Sequence, residues 1–215
     1  MQRMKTISEK LSASNDTASD GLQHAIECLF FLSGAAALAY QVCWQRILFF
    51  SFGTDIESTT IIVSVFMMGL GLGALCGGWA ADRWFEKIVP LFALSELGIG
   101  LFGFMSPLLL TWVSDIFILS GHGTLAVVNF LLLLLPTSLM GATLPMLITL
   151  CLRTYKNVGV STGTLYCINT LGAATGCALS GICFIFMTLK GVIVIAACIN
   201  IFVATMVFTK FRGRA

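Results

Sequence analysis

The chain has 215 residues, of which 58% are hydrophobic and 10% are charged, and its formal net charge is +2. A water-soluble domain needs a larger share of polar residues to cover its core, so this composition excludes a soluble globular protein. The small positive charge gives no basis for expecting nucleic acid as a partner.

The amino-terminal segment, residues 1–22, is polar and rich in Ser, Thr and Asp, so we predict a disordered tail. A signal peptide is the alternative interpretation, with Cys28–Ser33 as its apolar region and Ala37–Ala39 as a cleavage site. The long preceding segment contains acidic residues, which signal peptides avoid, and cleavage would remove one of the apolar runs described next.

Six apolar runs follow and define a transmembrane domain over residues 23–210. Each run has about 20 residues or more, which is enough for a helix to cross a hydrocarbon layer of ~30 Å. The strict alternation of β-barrel strands is absent from them. The predicted fold class is therefore all-α, a polytopic protein of six transmembrane helices in the lipid bilayer. The predicted spans are 25–50, 57–81, 88–113, 123–150, 160–186 and 190–209.

The distribution of Lys and Arg predicts the orientation of the chain. These residues cluster before span 1, between spans 2 and 3, between spans 4 and 5, and after span 6, whereas the opposite side has Arg46 and Lys190. The positive-inside rule then places both termini in the cytoplasm and the protein in the cell (inner or plasma) membrane, with residues 211–215 as a short basic tail. The clustered residues are Arg3, Lys5, Lys10, Arg83, Lys87, Arg153, Lys156, Lys210, Arg212 and Arg214.

The eight cysteines lie almost entirely inside apolar runs and form no CxxC pair. We interpret them as small buried hydrophobic residues rather than as disulfide partners or zinc ligands. His24 and His122 lie near span ends without HExxH or another ligand spacing. The sequence therefore predicts no metal site and no cofactor.

Two spans carry glycines at intervals of four residues, which form a stripe on one face of a helix. The stripe is Gly69, Gly73 and Gly77 in span 2, and Gly172 and Gly176 in span 5. Such stripes allow another backbone to approach closely. Packing within one subunit is the simpler interpretation, and a sliding or dimer-forming surface is the functional one.

Span 4 contains two prolines, Pro136 and Pro145. Proline frees a backbone carbonyl and usually bends a membrane helix. The bend is either a hinge or a fixed kink.

Polar side chains within the spans are the candidate solute-binding residues. Glu96 lies about two turns inside span 3, where an ionised carboxylate must find a partner, face the interior or take up a proton. It either binds a cation or relays protons, or it is a structural acid paired with a neighbouring helix. In span 1, Gln41 and Gln45 share a helix face close to Trp44. This cluster is either a polar cavity wall or an interfacial aromatic belt with a snorkelling Arg46.

Tyr40 and Asn169 complete the candidate set. Asn129, Asn169 and Asn200 place one amide in each of the last three spans. There they either form hydrogen bonds between helices, for about 0.6–2 kcal/mol each, or line a pathway.

The segment Gly78-Trp-Ala-Ala-Asp82-Arg83 ends span 2 and begins a cytoplasmic loop. It resembles the GxxxDR core of the loop motif that follows the second helix of major facilitator superfamily transporters. That family usually continues with Gly-Arg-Arg/Lys, whereas Trp84–Lys87 follows here, so the match is partial.

Four further segments resemble, in order, the membrane half of spermidine-synthase-like fused membrane proteins. In those proteins a module of facilitator-like helices usually precedes a cytosolic aminopropyltransferase-like domain. The resemblance implies six helices arranged as half of a facilitator-type bundle, in two three-helix units of inverted topology. The segments are Ser33–Arg46, Ser95–Gly100, Leu135–Pro145 and Leu165–Gly176.

These 215 residues contain no GxGxxG segment after a predicted strand, so that family's enzymatic activity is not carried over. The first hypothesis is a small transporter that works as a homodimer and moves a small organic solute. The kinship with polyamine enzymes suggests a cation as solute, with Glu96 as its counter-charge.

The second hypothesis is a membrane scaffold that docks a separate soluble aminopropyltransferase- or methyltransferase-like enzyme. Its docking surface would be the basic loops Asp82–Lys87 and Leu152–Val158.

A third hypothesis, an intramembrane enzyme, is disfavoured because no Ser/His or Asp/Asp pair has a suitable spacing. We therefore expect no enzymatic activity.

Overall fold

The computed structural model describes residues 2–152 and 158–211, and within this part of the chain six long α-helices follow one another. Short 3-10 turns precede α3 and α4, at Phe85–Lys87 and Ile118–Ser120. The helices are α1 (Gln2–Phe52), α2 (Asp55–Arg83), α3 (Ile88–Phe117), α4 (His122–Leu152), α5 (Val158–Phe186) and α6 (Leu189–Phe211).

All six helices contain a segment that is long and apolar enough to cross a membrane. The predicted spans agree with the helices to within a few residues, except at the start of α1 and the end of α3. The prediction of an all-α, six-helix membrane protein is therefore confirmed. The physical reason is that a backbone in lipid must satisfy its hydrogen bonds within its own segment.

The structure begins α1 at Gln2, so this helix includes most of the polar amino-terminal segment. Residues 2–20 contain neither proline nor glycine, so nothing in them breaks a helix. A segment that extends an existing helix also avoids the cost of nucleating one. The predicted basic tail lies outside the described residues from 212 onward, as do Arg153 and Lys156.

Two glycines with positive φ make the turns on the side opposite the predicted cytoplasmic face. Gly53, with a φ of 75°, separates α1 from α2, and Gly121, with a φ of 91°, precedes α4. Thr54 caps α2, since its side chain accepts a hydrogen bond from the backbone nitrogen of Glu57. Asp55 and Glu57 in the first turn of α2 also favour this helix end electrostatically.

The helices pack in a pattern that repeats after three elements. The most extensive contacts join α2 to α4, α1 to α5, and α3 to α6, followed by α3 to α4 and α1 to α6. If α1, α2 and α3 are exchanged with α4, α5 and α6, respectively, the same five pairs are obtained. Because successive spans run in opposite directions, α1–α3 and α4–α6 are two three-helix units of inverted orientation.

The glycine stripes lie at the closest of these contacts. A Cβ atom on Gly73 would lie 2.8 Å from the carbonyl carbon of Ser138 in α4, and a Cβ on Gly176 would lie 2.6 Å from that of Ala35 in α1. The facing helices contribute a glycine of their own, since Gly141 meets the backbone of α2 and Gly34 meets Asn169 of α5. Both stripes therefore pack helices within one subunit, at backbone-to-backbone distance.

Candidate functional site

A cavity of about 360 Å³ opens between α1, α2, α4 and α5, and Asn200 of α6 also lines it. Its volume is within the range of small-molecule sites. Most of its walls are apolar, from residues such as Phe66, Met67 and Met140. The polar side chains that line it are Ser33, Gln41, Thr143, Tyr166, Asn169 and Asn200.

The cavity lies at the middle depth of the helices. Its lining residues include Ala37 of α1, Leu70 of α2 and Asn200 of α6, each close to the centre of its candidate span. Close approach at Gly34 and Gly141 holds the cavity walls together, because each packs directly on the backbone of a facing helix. Solute sites of membrane transporters commonly lie at this depth.

Glu96 of α3 lies directly behind the cavity wall and is completely buried. Ser33 Oγ donates a hydrogen bond of 2.6 Å to its Oε1 atom, and Asn200 Nδ2 donates one of 2.7 Å to its Oε2 atom. Both donors line the cavity, whereas Glu96 itself does not. The carboxylate is therefore separated from the cavity by one layer of side chains.

The carboxyl group of Glu96 has no cation beside it among the described residues. The ion pairs of the described residues join His24 to Glu27 and His122 to Glu57, and neither involves Glu96. Its polar contacts are the hydrogen bonds from Ser33 and Asn200. The acid is buried inside the bundle, and its direct partners, Ser33 and Asn200, are neutral.

Tyr40 and Trp44 belong to the protein core and do not line the cavity. Both side chains are fully buried, and their rings stack with centroids 5.1 Å apart. Trp44 faces α3, where it donates a hydrogen bond to Ser106, and its side chain is not on the surface of the bundle. Gly103 of α3 makes room for the Tyr40 ring, which lies where a Cβ would be.

Gln45 and Arg46 lie outside the cavity, near the end of α1. Gln45 Nε2 donates a hydrogen bond of 3.3 Å to Thr59 Oγ1 of α2. The guanidinium of Arg46 is exposed and lies over the Phe184 ring, 5.6 Å from its centroid, which is a cation–π geometry. Of the predicted solute-binding residues, the structure therefore places Gln41 and Asn169 on the cavity wall.

The loop motif and the two prolines of α4 do not line the cavity. Asp82 and Arg83 are exposed at the end of α2, and Gly78 has open space at the position of a side chain. Helix α4 continues through Pro136 and Pro145 without interruption.

Sequence reasoning missed the two residues that connect Glu96 to the cavity. Ser33 is a single hydroxyl in an apolar run, and such residues commonly bond to their own helix. Asn200 was recognised as an intramembrane amide, but its partner is 104 residues away in the chain. The signal available in the sequence was the presence of an unpaired acid, which requires donors from other helices.

A second cavity, of about 510 Å³, lies at the end of the bundle where α1 and α3 end and α6 begins. Its charged residues, Asp115 and Lys190, are exposed. Among the described residues, its lining includes none of the buried polar atoms that lack a hydrogen-bond partner. The smaller cavity beside Glu96 is therefore the better candidate for a specific site.

Comparisons with protein-family models, with curated proteins and with solved structures find no match to this chain.

Proposed function

We propose that the protein is a small membrane transporter that binds a small organic solute in the cavity beside Glu96. One observation carries this proposal. A mostly apolar cavity at middle depth contains several polar side chains, and two of these, Ser33 and Asn200, are hydrogen-bonded to a buried acid behind the wall, Glu96. Intramembrane acids are costly, and their usual role is in a solute or ion pathway.

A homodimer with its axis along the membrane normal completes the transport pathway. The six helices form two inverted three-helix units, and transporters built from such units commonly place the solute between two bundles. The resemblance to half of a facilitator-type bundle supports the same arrangement. Two copies inserted in the same orientation would associate in parallel, with their cavities facing each other.

The test is uptake of radiolabelled solutes into vesicles that contain the purified protein, with a panel of small cations, anions and neutral solutes. We expect at least one solute to enter faster than into protein-free vesicles. Glu96→Gln should lower that rate at least about tenfold, because it removes the charge that the cavity is built around. Size-exclusion chromatography of Glu96→Gln should show the same assembly as the unmodified protein.

Glu57→Gln is the matched control. Glu57 is half-exposed at the start of α2 and pairs with His122, far from the cavity, so the same change of charge there should leave uptake unchanged. Uptake at the rate of empty vesicles for every solute would contradict the proposal. Equal uptake by the Glu96→Gln variant would contradict the role of the cavity.

The scaffold hypothesis is favoured by a different observation, the exposed surface from Asp82 to Lys87. This loop presents Trp84, with 43% of its side chain exposed, among charged residues of both signs. A soluble enzyme docked there would remain bound during gentle extraction. Native mass spectrometry of protein purified from its host membrane distinguishes the two functions, since a homodimer supports the transporter and a stoichiometric soluble companion supports the scaffold.

A further inference from the structure

We propose that the cavity selects small organic cations that carry N–H groups, and that the direct contact for the N–H group is Asn200. Glu96 then acts from behind Asn200 as the source of negative charge. This inference deepens the proposed function by naming the class of solute, and it rests on that function for its biological role.

The hydrogen bonds to Glu96 determine which way the donor groups of Ser33 and Asn200 point. An ionised carboxylate accepts hydrogen bonds and cannot donate one. The Ser33 hydroxyl and the Asn200 Nδ2 group both use their donors on Glu96. The donors of these two lining residues therefore point away from the cavity.

The remaining atom of the Asn200 amide is an acceptor without a partner. Asn200 is 1% exposed, and its Oδ1 atom has no hydrogen-bond partner within residues 2–152 and 158–211. Because Nδ2 is turned toward Glu96, Oδ1 is turned away from it, and Asn200 is a lining residue of the cavity. A buried amide oxygen left without a donor costs about 1–3 kcal/mol, which a ligand N–H group would recover.

The electrostatic field in the cavity also favours a cation over an anion. The ion pairs of the described residues leave Glu96 without a cation, so an ionised Glu96 keeps its full negative charge beside the cavity. In a site with little water, such a charge attracts a cation and repels an anion much more strongly than at a protein surface. A ligand N–H group on Asn200 Oδ1 also polarises the amide, which strengthens the bond from Nδ2 to Glu96.

The cavity limits the size of the ligand. Its volume of about 360 Å³ is near the lower end of small-molecule sites, and most of its walls are apolar. A short aliphatic chain fits those walls, and its charged end fits the Asn200 end. The amide groups of Gln41 and Asn169 provide further polar contacts on α1 and α5.

Three probe ligands of similar size test this inference on the purified full chain in detergent, by isothermal titration calorimetry. Butylammonium carries a charge and N–H donors, tetramethylammonium carries the charge without N–H donors, and butyrate carries the opposite charge. We expect butylammonium to bind at least about tenfold more tightly than either of the others. Equal affinity for tetramethylammonium, or tighter binding of butyrate, would overturn the inference without any variant.

Asn200→Leu and its control Asn129→Leu test the role of the amide. Asn129 is also fully buried with an unpartnered Oδ1 among the described residues, but its Nδ2 group bonds to Leu125 of its own helix and it does not line the cavity. Asn200→Leu should weaken butylammonium binding at least about tenfold, whereas Asn129→Leu should leave it unchanged. Equal binding by both variants would assign the contact to another residue and refute the inference.

The binding experiment tests the cation site and the uptake experiment tests the transporter proposal, so the two can be refuted separately. If vesicles take up an anion or a neutral solute and butylammonium does not bind, the inference is wrong and the transporter proposal stands. If butylammonium binds in the expected order but no solute crosses the membrane, the cation site stands and the transporter proposal fails.

Discussion

The indole nitrogen Nε1 of Trp44 donates a hydrogen bond to the hydroxyl oxygen of Ser106, 2.8 Å away. Ser106 in turn donates a hydrogen bond of 2.8 Å to the carbonyl oxygen of Gly103. That carbonyl is the one that Pro107 leaves without a helical donor, because proline has no N–H group. A side chain of α1 thus supports α3 at its proline, close to the point where the ring of Tyr40, also from α1, packs against Gly103 of α3.

Replacing Trp44 with Phe should destabilise the protein by about 1–3 kcal/mol, because the hydrogen bond and part of a buried ring are lost together. The free energy of unfolding can be measured by titrating sodium dodecyl sulfate into mixed micelles. Trp112→Phe is the control, since 59% of the Trp112 side chain is exposed. Equal losses in the two variants would show that the bond to Ser106 contributes nothing.

Replacing Gly73 with Leu should separate α2 from α4. The new side chain would begin 2.8 Å from the carbonyl carbon of Ser138, so the two backbones must move apart. We expect a loss of about 1–3 kcal/mol or more, with a lower yield of folded protein. Gly71→Leu is the matched control, because a Cβ there meets nothing within 4 Å. A Gly73→Leu variant as stable as Gly71→Leu would contradict the close packing of these helices.

The inverted arrangement of the two units predicts that a leucine in the glycine stripe of α5, which belongs to the unit α4–α6, also destabilises the protein. Gly176→Leu should destabilise the contact between α5 and α1 by a similar amount, about 1–3 kcal/mol, since its Cβ would lie 2.6 Å from the carbonyl carbon of Ala35. Gly181→Leu, in the same helix but with open space around it, should have little effect. Thermal unfolding of both variants in the same micelles gives the comparison. Stability of Gly176→Leu equal to that of Gly181→Leu would contradict it.

The orientation inferred from the Lys and Arg distribution can be measured by cysteine labelling in a variant whose eight cysteines are replaced by alanine. A cysteine at Ser120, in the connection from α3 to α4, should react with a membrane-impermeant maleimide in intact cells. One at Glu86, between α2 and α3, should react after the cells are made permeable. Both side chains are exposed, so access to the reagent depends on the side of the membrane. The reverse order of labelling would invert the predicted topology.

The number and approximate ends of the helices followed from the sequence by itself. Six apolar runs of sufficient length must form helices in lipid, because each segment has to satisfy its own backbone hydrogen bonds. The spacing of Gly69, Gly73 and Gly77 also indicated a close-packed face, since residues four apart lie on one side of a helix.

The partners of each helix and the members of the candidate site were decided by tertiary structure. Glu96 and Asn200 are far apart in the chain. Only the packing of α3 on α6 brings Asn200 Nδ2 to 2.7 Å from Glu96 Oε2. The sequence grouped Gln41 with Trp44 because they are neighbours in α1, yet the helix turns Gln41 to the cavity and Trp44 to the core. In an apolar helix every face is compatible with lipid, so hydrophobic periodicity cannot tell which side meets protein. That choice depends on where small residues allow backbones to approach and where buried polar groups find hydrogen-bond partners.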